Sequence, residues 1–159
     1  VVEKLSQHRR IVGLKDSEQD KARHDEAIDR WADRDDFSHL IGWATISADG
    51  LLLGSDGLVP STGNLFPQLY VNLYNAAREN DVETARRLQN ETDEISRVYQ
   101  KDFLICDSLA ALKVMMHEAG LCQPHVLPPL QRINSEREVA IRKKTVELLQ
   151  KYNAKLSGI

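Results

Sequence analysis

The chain has 159 residues, 42% hydrophobic and 28% charged, with a formal net charge of −3 and an isoelectric point near 6.0. That length serves one modest domain with a real core rather than two. The charge balance argues against nucleic acid or an anionic membrane as partner, and no apolar stretch approaches the roughly 20 residues needed to span a bilayer.

Val1-Val2-Glu3-Lys4-Leu5 starts without methionine and has the texture of a helix interior, which suggests a piece of a longer chain and shows no secretory leader. Next comes a short apolar run, Ile11-Val12-Gly13-Leu14, closed by Lys15 and followed by Asp16-Ser17-Glu18. Runs of this kind read as strands buried on both faces of a parallel sheet, and in such sheets the C-terminal strand ends carry the chemistry. A lysine desolvated there has a free amine able to attack a carbonyl. The competing reading is a lysine that snorkels from the sheet end into water.

Residues 17–33 then read as a charged helix with Ile28 and Trp31 on one face, and residues 37–42 as a second strand. Thr45 to Leu53 reads as a short helix weakened by Gly50, and Gly57-Leu58-Val59 as a third, very short strand. The strand starts at 11, 37 and 57 suit strand–helix–strand units and a parallel sheet. After residue 64 the pattern is helical throughout. Phe66, Tyr70, Leu73, Tyr74 and Ala77 mark one stripe, Leu88, Thr92, Ile95 and Tyr99 a second behind a cap at Asp81, and Leu109, Leu112, Met115 and Met116 a third ending at Gly120. Pro124, Pro128 and Pro129 require an extended segment, and Ser135 with Glu138 has the spacing of a capping box opening a last helix to about Lys155. Three parallel strands with a helical tail leave edges uncovered, whereas a closed eight-stranded barrel takes about 250 residues. The organisation is that of the last third of such a barrel with a helical extension.

Gly42-Trp43 ends the second strand where a pocket would open: glycine admits a ligand close to the backbone, and Trp43 serves either as a wall or as core. The stretch Gly54 to Asn64 sets a strand between two turn-forming clusters. Ser61, Thr62 and Asn64 either hold a carboxylate or phosphate at a helix start or only cap that helix. The five histidines have no paired spacing, which argues against a metal, and His24-Asp25-Glu26 reads as a solvated polar face. No GxSxG elbow supports a hydrolase triad. Cys106 and Cys122, in helical contexts and without CxxC spacing, suit reduced thiols in a cytoplasmic protein.

These pieces together resemble the dihydrodipicolinate synthase and N-acetylneuraminate lyase family over essentially the whole chain. Ile11-Val12-Gly13-Leu14-Lys15-Asp16-Ser17 looks like its Schiff-base strand. Gly54-x-Asp56-Gly57-Leu58-Val59-Pro60-Ser61-x-Gly63-Asn64 resembles its eighth-strand motif, and the segment from Pro67-Gln68-Leu69-Tyr70 through Gly120-Leu121 to Leu127-Pro128-Pro129 its helical extension. The resemblance implies an α/β fold, the C-terminal portion of a (β/α)8 barrel. Residues 1–64 would supply strands six to eight, and residues 65–159 the eighth barrel helix and the extension.

It further implies a homotetrameric lyase (aldolase, dehydratase or synthase) acting on pyruvate or another 2-oxo acid and an aldehyde or sugar-acid substrate, without metal or organic cofactor. Lys15 would form the imine, Gly42 and Val59 would line the bound keto acid with backbone, and Ser61 would match a substrate-side hydroxyl of the sialic acid branch. Two departures narrow the second substrate. Trp43-Ala44 follows Gly42 where the synthase and sialate branches have two acidic residues, and Pro60 replaces a small polar residue of the synthase branch. The family's catalytic tyrosine (strand five) and carboxylate-binding Thr-Thr pair (strand two) have no counterpart here. Tyr70, Tyr74, Tyr99 and Tyr152 fall in helices, so the polypeptide alone is expected to be inactive. The alternative is a non-catalytic helical interaction domain derived from this family.

Overall fold

The computed structural model describes residues 1–101 and 104–156. A short helix α1 (Val2–Leu5) precedes β1 (Gly13–Asp16), α2 (Lys21–Trp31), β2 (Ser38–Ile41), α3 (Ser47–Leu53) and β3 (Gly57–Leu58). Four helices follow: α4 (Pro67–Arg78), α5 (Val82–Gln100), α6 (Ile105–Glu118) and α7 (Ser135–Leu156). The strands form one sheet in the order β1-β2-β3, both pairs parallel, with Lys15 opposite Leu40 and Ile41 opposite Leu58. Parallel pairing needs a crossover between consecutive strands, and α2 and α3 supply it.

The chain divides into two compact units, one of Val1–Gly63 and Leu69–Thr92, the other of Asn64–Gln68 and Asp93–Ile159. In the first, Ala27, Trp31 and Phe37 form a buried cluster with Val2, Ile11 and Leu14 against it. The Trp31 and Phe37 rings lie 4.9 Å apart. Helix α2 begins four residues later than the charge pattern predicts, because two aspartates organise the turn ahead of it. Asp16 Oδ1 accepts from Glu18 N–H at 3.0 Å, and Asp20 in extended conformation accepts from Arg23 N–H at 3.1 Å. The predicted helix over 45–53 is a 3-10 turn, Ala44–Ile46, continued as α3. Gly50 lies inside α3 where a Cβ would run into the Ile41 side chain, so the residue that weakens the helix by propensity is what lets α3 lie close on β2. The α3 start has no cap of its own. Gln89 of α5 supplies one, its Oε1 accepting from Ala48 N–H at 2.8 Å while its Nε2 donates to the Ala44 carbonyl at 3.0 Å.

In the second unit α6 packs on α7, whose Ile141, Thr145, Leu148 and Tyr152 are buried at 4-3-4 spacing. The α6 stripe differs from expectation: Ala111, Leu112 and Met115 are buried but Leu109 is 40% exposed. The buried face runs through the small Ser108 and Ala111 instead, which allow closer helix approach. Gly120 takes the left-handed conformation expected after α6 (φ 76°). Cys106 lies in α6 and Cys122 beyond its end, both as free thiols. The capping box at Ser135 does not form. Asn134 is the cap, its Oδ1 accepting from Arg137 N–H at 2.9 Å, and Glu138 turns to Arg142 at 2.7 Å. Asparagine caps as well as serine, and the guanidinium attracts the Glu138 carboxylate more strongly than a backbone amide would. No helix among the described residues is long and apolar enough to cross a membrane.

The Glu94 carboxylate receives the Tyr152 hydroxyl at 2.6 Å and Lys151 Nζ at 2.6 Å. Lys151 and Tyr152, donating to the charged form, hold Glu94 below its ordinary 4.5. A depressed carboxylate contributes stability that is present above the unfolded value and lost as pH falls through the folded one. Glu94→Gln is therefore expected to flatten the decline of the thermal midpoint below pH 4.5. Midpoints measured by circular dichroism across that range check it, and an unchanged acid limb would count against the contact.

Candidate active site

Side-chain alternation along β1 sends adjacent residues to opposite faces of the sheet. Lys15 is exposed, and Asp16, next to it, is 3% exposed. The Gly42 N–H donates to the Asp16 carbonyl at 2.6 Å and the Val59 N–H to the Ile41 carbonyl at 2.8 Å, so the ladder runs one residue past β2 and β3. Lys15, Gly42 and Val59 thus stand at the C-terminal ends of three neighbouring parallel strands. A Cβ on Gly42 would come within 2.8 Å of Lys15 Cε and 2.9 Å of the Asp16 carbonyl oxygen, besides striking Ser17 Oγ. Only glycine lets the Lys15 stem cross this point. Val59 is 43% exposed, and Ser61 is half-buried in a 3-10 turn over Ser61–Asn64 in which Thr62 is fully buried. Trp43 is half-buried, its ring 6.1 Å from that of His24. Lys15 is exposed at the strand end, where the described residues do not bury it.

The opposite face holds a group that sequence reasoning missed. Asp16, His24 and His39 are all buried, and one ligand-type atom from each lies within 4.8 Å of the others. His24 is not on a solvated face. Successive helical residues turn by about 100°, so Asp25 pairs with Lys21 and Glu26 with Arg30 while His24 points inward. The signal was the stripe of Ile28 and Trp31, which reaches His24 when extended four residues back. Asp16 Oδ2 accepts from Arg23 Nε at 2.9 Å. Burial, and next the neighbouring His24, keep His39 below the ordinary imidazole range, outweighing the opposing pull of Asp16 and Asp56.

Three parallel strands joined by α2 and α3 make this an α/β fold. The sequence profile of the dihydrodipicolinate synthetase family matches residues 1–148, and the chain belongs to that family. It is 32% identical to the dihydrodipicolinate synthase structure from Bacteroides thetaiotaomicron, with a TM-score of 0.82 over 94% of this chain and 49% of that one. The structure of YagE, a prophage protein of Escherichia coli in complex with pyruvate, matches at 27% identity and a TM-score of 0.77 over 91% of this chain and 48% of that one. By sequence, a putative 2-dehydro-3-deoxy-D-gluconate aldolase, YagE of Escherichia coli, is 31% identical over 110 residues, 67% of this chain and 34% of that protein. The chain spans about half the length of the solved structures it matches.

Gly42→Ala, by forcing apart backbone and side chain at the β1 and β2 ends, is expected to cost about 1–3 kcal/mol. Urea unfolding checks this, and a change near zero would show that the close approach is not a tight one.

Proposed function

We propose that this chain carries the imine-forming part of a Schiff-base lyase acting on pyruvate or a related 2-oxo acid, with Lys15 as the nucleophile. The observation that carries the proposal is the position of Lys15 at a parallel strand end, its stem crossing Gly42, in a chain of the dihydrodipicolinate synthetase family. On this reading β1, β2 and β3 are strands six to eight of a (β/α)8 barrel, and residues 65–159 are the last barrel helix and an extension. The neutral Lys15 amine adds to the 2-oxo carbon, and the carbinolamine takes up a proton as it loses water, leaving a protonated imine. In a 4-hydroxy-2-oxo acid, that imine accepts the electron pair released when the C3–C4 bond breaks and the C4 hydroxyl gives up its proton, giving an enamine and an aldehyde. Protonation at C3 and hydrolysis then return the 2-oxo acid and the free lysine. The backbone at Gly42 and Val59 lines the keto acid, with Ser61 toward the second substrate.

The pyruvate complex of YagE and the aldolase names among the relatives support a 2-oxo acid as one substrate. Trp43-Ala44 and Pro60 weigh against sialic acid and aspartate semialdehyde as the other, and favour a less polar aldehyde or a sugar acid held differently. The exposure of Lys15 supports the expectation that catalysis needs elements beyond these 159 residues, namely a tyrosine for proton transfer, a Thr-Thr pair for the carboxylate, and tetramer assembly. No metal or organic cofactor enters this chemistry.

Borohydride reduction in the presence of pyruvate tests the proposal by mass mapping. A longer protein containing this chain is expected to carry one reduced adduct on Lys15, absent in Lys15→Arg, while the 159-residue chain labels weakly. Adduct on another lysine, or undiminished labelling in Lys15→Arg, would overturn the assignment. Strong labelling of Lys15 in the 159-residue chain would keep the lysine but remove the need for further elements.

A further inference from the structure

The buried group on the far side of β1 has an unusual balance of donors and acceptors. His24 Nε2 lies 2.8 Å from the Glu18 carbonyl oxygen, which can only accept, so this nitrogen carries the hydrogen and Nδ1 carries a lone pair. His39 Nδ1 lies 3.0 Å from Ser55 Oγ, which has two carbonyl oxygens in reach of its single hydrogen, that of His39 at 2.8 Å and that of Gly57 at 3.3 Å. Ser55 therefore accepts from His39 Nδ1–H, and His39 Nε2 is left as a second lone pair. Both freed nitrogens, His24 Nδ1 and His39 Nε2, are buried and meet no hydrogen-bond partner. The third member is the Asp16 carboxylate, an acceptor only, which has one bond from Glu18 N–H and one from Arg23 Nε and a lone pair to spare on each oxygen.

Three acceptor-bearing side chains from β1, α2 and β2 thus come together in a buried space, one ligand-type atom of each within 4.8 Å of the others, and His24 Nδ1 and His39 Nε2 have no hydrogen-bond partner. A cation answers such a set. Two imidazoles and a carboxylate are the ligands of borderline divalent ions of the zinc kind. The second contacts fit as well, since metal-binding histidines hold their tautomer by donating the other ring N–H to a carbonyl or comparable acceptor, as His24 does to Glu18 and His39 to Ser55. We propose that Asp16, His24 and His39 form a structural site for a divalent cation of the zinc class, tying the end of β1 to α2 and β2. The site lies on the opposite side of β1 from Lys15 and is independent of the reaction proposed there.

The untagged chain, stripped with chelator and dialysed against Zn2+ or Co2+, provides the test. The expected result is one ion per chain by elemental analysis, visible d–d absorption for the cobalt form, and a higher thermal midpoint that chelator reverses. His24→Gln and His39→Gln are expected to lose the ion, whereas the Cys106→Ser/Cys122→Ser double variant retains it. Ser55→Ala keeps all three ligands and removes only the hold on the His39 tautomer, so its affinity is expected to fall by about 10–100-fold. It also serves where a histidine variant fails to fold. Absence of stoichiometric uptake would overturn the proposal. Uptake undiminished in Ser55→Ala and the histidine variants, or abolished by the cysteine substitutions, would overturn it equally.

Discussion

The site's geometry depends on how Asp16 is held. Its carbonyl receives the Gly42 amide at 2.6 Å, which fixes β1 against the strand that ends beside it. Its carboxylate, buried on the helix-covered face, is satisfied by the Glu18 amide and the Arg23 guanidinium. A buried carboxylate is costly unless it is so bonded, and these partners bind it to one face only. Because successive strand residues alternate, holding Asp16 inward obliges Lys15 to point outward, over Gly42. One residue thereby sets the register of the strand ends, the direction of the lysine and the carboxylate of the three-acceptor cluster.

Glycine completes this arrangement at two places of different kind. At Gly42 the lack of a side chain gives the Lys15 stem a path across the neighbouring strand end, and at Gly50 it lets α3 settle on Ile41. Both are close approaches demanded by the packing of parallel strands and their crossover helices. Farther along, the stability of the helical unit rests on apolar stripes such as Ile141, Leu148 and Tyr152, with ion pairs like Arg142–Glu118 at the half-exposed margin adding little by comparison.

Much of this was legible in the sequence, for reasons that can be named. The three strands announced themselves as short apolar runs at crossover spacing, and the 4-3-4 stripe from Leu88 to Tyr99 is buried throughout. Element starts were less legible where a side chain from elsewhere decides them. Glu138 answers to Arg142 rather than to a cap, and the α3 start depends on Gln89, forty-one residues beyond Ala48. The lysine was found because a charge closing an apolar run is visible locally. The cluster of Asp16, His24 and His39 was missed because its members come from three elements and acquire meaning only when those elements pack. Its histidines look unrelated by spacing, yet each sits on an inward position of a periodicity the sequence does carry.

On the proposed reading, Lys15 forms a covalent bond with a 2-oxo acid at this strand end. The most direct measurement is a crystal structure, with pyruvate, of a longer protein containing this chain. Continuous density is expected from Lys15 Nζ to the 2-carbon of pyruvate, with the acid lying against the backbone of Gly42 and Val59. Pyruvate bound elsewhere, or Lys15 unmodified and turned away from it, would rule out the imine at Lys15.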